Sequence, residues 1–175
     1  LVHAQCVRAF DAVTPVIGAV QNVNTGHYEA RPRIASSGEG FLVTWVSERT
    51  TSPYSPLAMA QRLDANCAPV GPALELGEAI DPWHSWPSVV FDGLQYVVVW
   101  ASNDDVMGDL VGVRIQHNGS VSAVFPVVTQ NGNDVEPSLT AVAPGHWGVA
   151  FTHFFESEGE SARHDLLRCT PKISR

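Results

Sequence analysis

Tyr96-Val97-Val98-Val99-Trp100 limits what this chain can fold into more than any other stretch. All five positions are large and apolar, with Asp92-Gly93 before the run and Ser102-Asn103-Asp104-Asp105 after it. A strand with one wet face alternates apolar and polar residues. One that is apolar throughout needs cover on both faces. Phe41-Leu42-Val43-Thr44-Trp45 has the same shape, and Trp147-Gly148-Val149-Ala150-Phe151 is a looser third copy. Charged residues are only 16% of the 175, while 14 Gly and 12 Pro supply turns; soluble domains usually carry about 25% charge. Amphipathic helical patterning is missing, and no apolar run nears the roughly 20 residues of a spanning helix. The expectation is an all-β chain of many short strands.

The three runs belong to a repeat. Each is preceded by a proline, a short apolar strand and a turn: Pro32-Arg33-Ile34-Ala35 with Ser36-Ser37-Gly38, Pro87-Ser88-Val89-Val90-Phe91 with Asp92-Gly93, and Pro137 to Val142 with Pro144-Gly145. From proline to the first aromatic the spacing is nine, nine and ten residues. Asp-Gly between apolar runs signals a hairpin, and proline at the first residue of a strand costs no ladder hydrogen bond. Downstream come a polar loop, a strand, a turn and another strand. These are Leu57 to Leu63 then Val70 to Leu76, and Leu110 to Ile115 then Val121 to Val128. Arg62-Leu63 and Arg114-Ile115 fill one slot. Each unit is thus four strands, A to D, over about 50 to 55 residues, the period of a propeller blade.

The pattern resembles the short β-propeller repeats of bacterial extracellular proteins, in which P-x-(I/V)-A, G-x-(F/Y)-x-V-x-W and R-(I/L)-D follow one another. The resemblance covers nearly the whole chain and implies a single repeat domain, residues 1–175, of about three four-stranded antiparallel blades. Residues 1–30 supply strands C and D, 31–86 and 87–136 are blade units, and 137–175 is a blade lacking its last strand. Closed propellers have four to eight blades. The expectation is therefore a ring completed by another chain: a second copy, or the remainder of a longer parent; a start at Leu1 without Met suits either a processed mature form or an excised piece. A two-sheet sandwich of the same strands is the competing architecture.

The D–A loops are expected to form the ligand face together with the B–C loops. They carry His27, Tyr28, Asp81, Trp83, His84, Trp86, Asn131, Asn133 and Asp134. Aromatic rings beside polar groups stack the apolar face of a sugar and fix its hydroxyls; the alternative is that Trp83 and Trp86 simply pack between blades. The B–C loops are acidic, with Glu48, then Asp104, Asp105 and Asp109, then Glu156, Glu158, Glu160 and Asp165. Clustered carboxylates suit Ca²⁺, or a glycosidase acid–base pair, but no calcium-loop spacing is present and no cofactor is expected. The seven histidines and three cysteines are dispersed without metal spacing. Cys6 and Cys169 occupy equivalent C strands, one residue out of step; if ring closure brings these ends together, a disulfide there would staple the seam within one chain or between two, leaving Cys67 as the odd thiol. Asn118-Gly119-Ser120 fits a glycosylation sequon at an Asn-Gly turn.

Net charge is −8, and the 10 Lys and Arg are scattered. Nucleic acid and anionic membranes are accordingly not expected partners. The preferred functional reading is a secreted, non-catalytic binding or scaffold module, lectin-like, with carbohydrate as the candidate ligand and a homo-oligomer as one way to close the ring. A hydrolase or lyase using loop carboxylates is the alternative from another class. An assembly or adhesion segment with no small ligand is the third.

Overall fold

The computed structural model describes residues 2–5, 7–8, 16–17, 21–22, 28–49, 55–80, 85–102, 108–129, 132–157 and 160–164. Within them the chain is all-β and built of propeller-type antiparallel blades, with no helix. The first blade is β5 (Tyr28–Ser36), β6 (Gly40–Arg49), β7 (Ser55–Asp64) and β8 (Leu74–Glu78), paired in sequence order. The second is β9 (Ser88–Phe91), β10 (Tyr96–Ala101), β11 (Leu110–Ile115) and β12 (Phe125–Val128), paired likewise. The third holds β13 (Asn133–Ala143), β14 (His146–Ser157) and β15 (Glu160–His164). Ahead of them β1 (His3–Ala4) pairs β4 (Gln21–Asn22), and β2 (Val7–Arg8) pairs β3 (Val16–Ile17).

The turns follow from their residues. In the second blade Asp92 Oδ1 accepts from the backbone N–H of Leu94 and Gln95 at 2.9 and 3.0 Å, and Gly93 takes a φ of 89°. Asp64 Oδ1 caps the first C–D turn, accepting from Asn66 and Ala68 N–H, and Asn118 Oδ1 accepts from Ser120 N–H in the second. Gly119 has φ 90° there, and the matching residue of the first blade is Cys67, at φ 64°. A left-handed cysteine costs roughly 1–2 kcal/mol, offset here because Cys67 is buried and disulfide-bonded. It is therefore not the odd thiol the sequence led us to expect. With three cysteines in the chain its partner is Cys6 or Cys169, both outside the described residues, so the expected Cys6–Cys169 bridge is not the one this chain makes.

Strand B is dry on both sides, as its composition requires. Leu42, Ala58, Ala60 and Leu76 of the first blade pack against Tyr96, Val98, Trp100 and Val113 of the second. From the other face of β10, Val97, Val99 and Ala101 meet Val135, Trp147, Val149 and Phe151 of the third blade. Val2 and Ala4 join Val43, Trp45, Met59, Leu63 and Cys67 on the far face of the first. Trp45 is 0% exposed and Trp100 1%, and burying such a side chain stabilises by about 1.5–3 kcal/mol or more. Polar links bind blade to blade: Thr44 Oγ1 donates to Pro87 O at 3.4 Å, and Leu139 N–H to Ser88 Oγ at 3.1 Å. Along β14 the residues alternating with Trp147, Val149 and Phe151 are Gly148, Ala150 and Thr152. That flank of the third blade is built of small or polar residues.

Two strand boundaries differ from expectation. Strand D begins at Leu74 and Phe125 rather than Val70 and Val121, because only isolated bridges, Leu63↔Pro69 and Ile115↔Val121, form before those points. Strand A of the first and third blades begins before its proline. Pairing with strand B shifts register between Ala30 and Arg33 and between Val135 and Ser138, so Pro32 and Pro137 sit at bulges inside β5 and β13. A bulge spares the missing N–H just as a strand's first residue does. Pro87 does precede its strand.

Candidate functional site

The three prolines mark one slot at the same end of the three inner strands, and the residue before each differs. They are Arg31, Trp86 and Glu136. Arg31 and Glu136 have φ of 61° and 56°, a region that side chains other than glycine enter at a cost and that gathers where a side chain must be re-aimed. The Arg31 guanidinium lies 4.5 Å from the centroid of the Trp86 ring and that of Arg33 5.6 Å. Glu136 Oε2 accepts from Thr152 Oγ1 at 3.2 Å. Trp86 is half-buried and Arg33 exposed.

Beneath this slot is a buried polar layer. Three residues before two of the prolines stand Glu29 and Asp134, and two residues after the last core aromatic of strand B stand Ser47, Ser102 and His153. All five are buried. Ser47 Oγ lies 3.4 Å from Glu29 Oε1. In the third blade the contact is far tighter: His153 Nδ1 is 2.5 Å from Asp134 Oδ1, with the two side chains 1% and 0% exposed. The carboxylate fixes the orientation of the imidazole. Gly132 closes over the ring; a Cβ there would stand 2.5 Å from His153 Cε1 and 2.8 Å from Nε2. Asp134 N–H donates to Gly108 O at 2.8 Å, docking β13 against the second blade. A Cβ on Gly108 would lie 2.9 Å from Asn133 Oδ1, which is buried and has no hydrogen-bond donor among the described residues. The carboxylates of this layer are buried and do not face solvent.

Of the residues singled out from sequence, Trp86 stands in this slot. Tyr28, Asn133 and Asp134 were expected in loops and are in strands, because β5 and β13 run on past their prolines. Tyr28 pairs with Glu48 across the sheet, and Asp134 is turned inward to His153. His27, Asp81, Trp83 and His84 lie outside the described residues, as do Asp104, Asp105, Glu158 and Asp165. Glu48, Glu156 and Glu160, assigned to B–C loops, belong to β6, β14 and β15. Among the described residues no group of three His, Cys, Asp or Glu is placed to hold a metal. Sequence reasoning missed Arg31, Arg33, Glu136 and His153. Their signals were adjacency to the repeat prolines and, for His153, its parity with Trp147, Val149 and Phe151.

At the opposite end of the strands a cleft of about 230 Å³ opens between the first two blades, walled by Phe41, Arg62, Tyr96 and His117. Tyr96 donates its hydroxyl to Gly40 O at 3.1 Å, and burial pushes its pKa up.

No protein-family model and no curated protein matches the sequence. Among solved structures, that of a thermostable family-43 glycoside hydrolase is similar, with a TM-score of 0.52 at 10% identity. The match covers 87% of this chain and 62% of that one. That protein is a β-propeller. So is the fold here. At such identity the likeness speaks for architecture alone, and this chain spans under two thirds of its neighbour. No helix among the described residues is long and apolar enough to cross a membrane.

Proposed function

We propose that this chain is a carbohydrate-binding β-propeller module, secreted and non-catalytic, that takes its ligand at the proline-marked ends of the inner strands. The observation carrying this reading is the half-buried Trp86 ring at that end, with Arg31 and Arg33 beside it and Glu136 in the equivalent slot of the third blade. An indole among fixed polar groups provides stacking for a pyranose face and hydrogen bonds for its hydroxyls. The ring is completed by further blades, from a second copy or from the remainder of a longer parent, and sedimentation of the chain alone would give its assembly state. The test of binding is titration against neutral and acidic oligosaccharides. Trp86→Ala is expected to weaken binding about tenfold or more, the loss of one stacked ring; unchanged binding would sink the reading.

A second reading is favoured by one observation, the structural likeness to a protein described as a glycoside hydrolase. It has the carboxylate of Glu136 acting on a glycosidic bond, with a partner from the loops. Release of reducing ends from oligosaccharides, lost in Glu136→Gln, would establish it in place of the first.

A further inference from the structure

We infer that the Arg31–Arg33–Trp86 cluster is a subsite for the carboxylate of an acidic sugar, so that the ligand is a uronate-containing glycan. The inference rests on the carbohydrate reading above and names its ligand class. In a chain of net charge −8 with only 10 Lys and Arg, two arginines converge on one ring. Among the described residues neither guanidinium lies within ion-pair distance of a carboxylate. Arg33 spends one Nη1–H on the adjacent Pro32 O at 3.0 Å. The ring meets Arg31 at 4.5 Å. A guanidinium stacked by its face keeps its N–H donors in the plane, where they match the two oxygens of a carboxylate.

Backbone geometry points the same way. Arg31 is held at φ 61° by a bulge, which fixes the backbone from which its side chain reaches the Trp86 ring. The bulge turns a residue that would otherwise pair within β5 towards the second blade, where Trp86 lies. An arginine held over an aromatic face loses less side-chain freedom when an anion arrives. An anionic sugar then meets two cations and a stacking ring at once, whereas a neutral sugar meets only the ring and hydrogen bonds.

The experiment is calorimetric titration of the chain with oligogalacturonate and oligomannuronate, each beside its carboxyl-reduced form, at low and high salt. The expected result is that at least one acid form binds about tenfold tighter than its reduced form, with the gap narrowing as salt rises. In Arg33→Gln and in Arg31→Gly the ratio of acid to reduced affinity falls towards one. Equal affinity for acid and reduced forms overturns the subsite and leaves the carbohydrate reading standing. A ratio unchanged in both variants, each verified as folded by its unfolding transition, overturns it too. Failure of every glycan to bind overturns both readings together.

Discussion

The inner strands of the first and third blades differ from that of the second in how they treat the same proline. β5 and β13 are 9 and 11 residues long and run through it on a bulge; β9 has 4 residues and starts after it. The long strands carry an acidic residue, Glu29 or Asp134, into the interior to meet Ser47 or His153. They pay in strained backbone at Arg31 and Glu136. The short strand has no such strain and leaves Trp86 beside the arginines of its neighbour. It is held by its neighbours instead, through Thr44 on one side and Leu139 on the other. One repeat thus supports two designs at its proline-marked end, a strained one that buries a carboxylate and a relaxed one that presents a ring.

The largest effect should separate the two strained blades from each other. Asp134→Ala leaves His153 buried without its carboxylate, and a loss of about 3–5 kcal/mol is expected in denaturant unfolding. Glu29→Ala, at the longer 3.4 Å contact with Ser47, should cost about 1–2 kcal/mol. Equal losses would mean that the His153 pair has no special weight.

A second measurement weighs the backbone difference. At positions 31 and 136 the glycine variant should be more stable than the alanine variant by about 1 kcal/mol, the left-handed penalty less the entropy of glycine. At Trp86 the order should reverse. The same order at all three positions would erase the distinction between bulged and unbulged blades.

The smallest effect concerns the far end of the second blade. Because burial raises the Tyr96 pKa, the unfolded chain gives up this proton first as pH rises. The stabilisation is full below about pH 10, the unfolded tyrosine value, and is lost as pH climbs through the folded value. Tyr96→Phe should flatten that alkaline fall while costing about 1 kcal/mol at neutral pH for the bond to Gly40 O. An unaltered alkaline slope in the variant would show that Tyr96 keeps its proton no better folded than unfolded.

The blades could be read from the chain because each depends on a local rule. Asp92-Gly93 writes its own turn, and the unbroken apolar runs demand two covers, which Trp45 and Trp100 have. The site was less legible. Proline at a strand start and proline at a bulge satisfy the same hydrogen-bond rule, so residues could not say which applied, and Tyr28, Asn133 and Asp134 were assigned to loops. Pairing of Asp134 with His153 depends on register across a shifted ladder, which no local motif carries. Trp86 was legible because a tryptophan between two loop signals has few places to go. Arg31 and Arg33 were not, because their partner is on another blade.

The bulge has one further consequence. In the first and third blades it sets the residue before the proline at positive φ between two paired stretches of the ladder. Arginine and glutamate occupy it in the two bulged blades, and tryptophan precedes the proline of the unbulged one. The identity of that residue thus changes from blade to blade while the ladder on either side keeps its pairing.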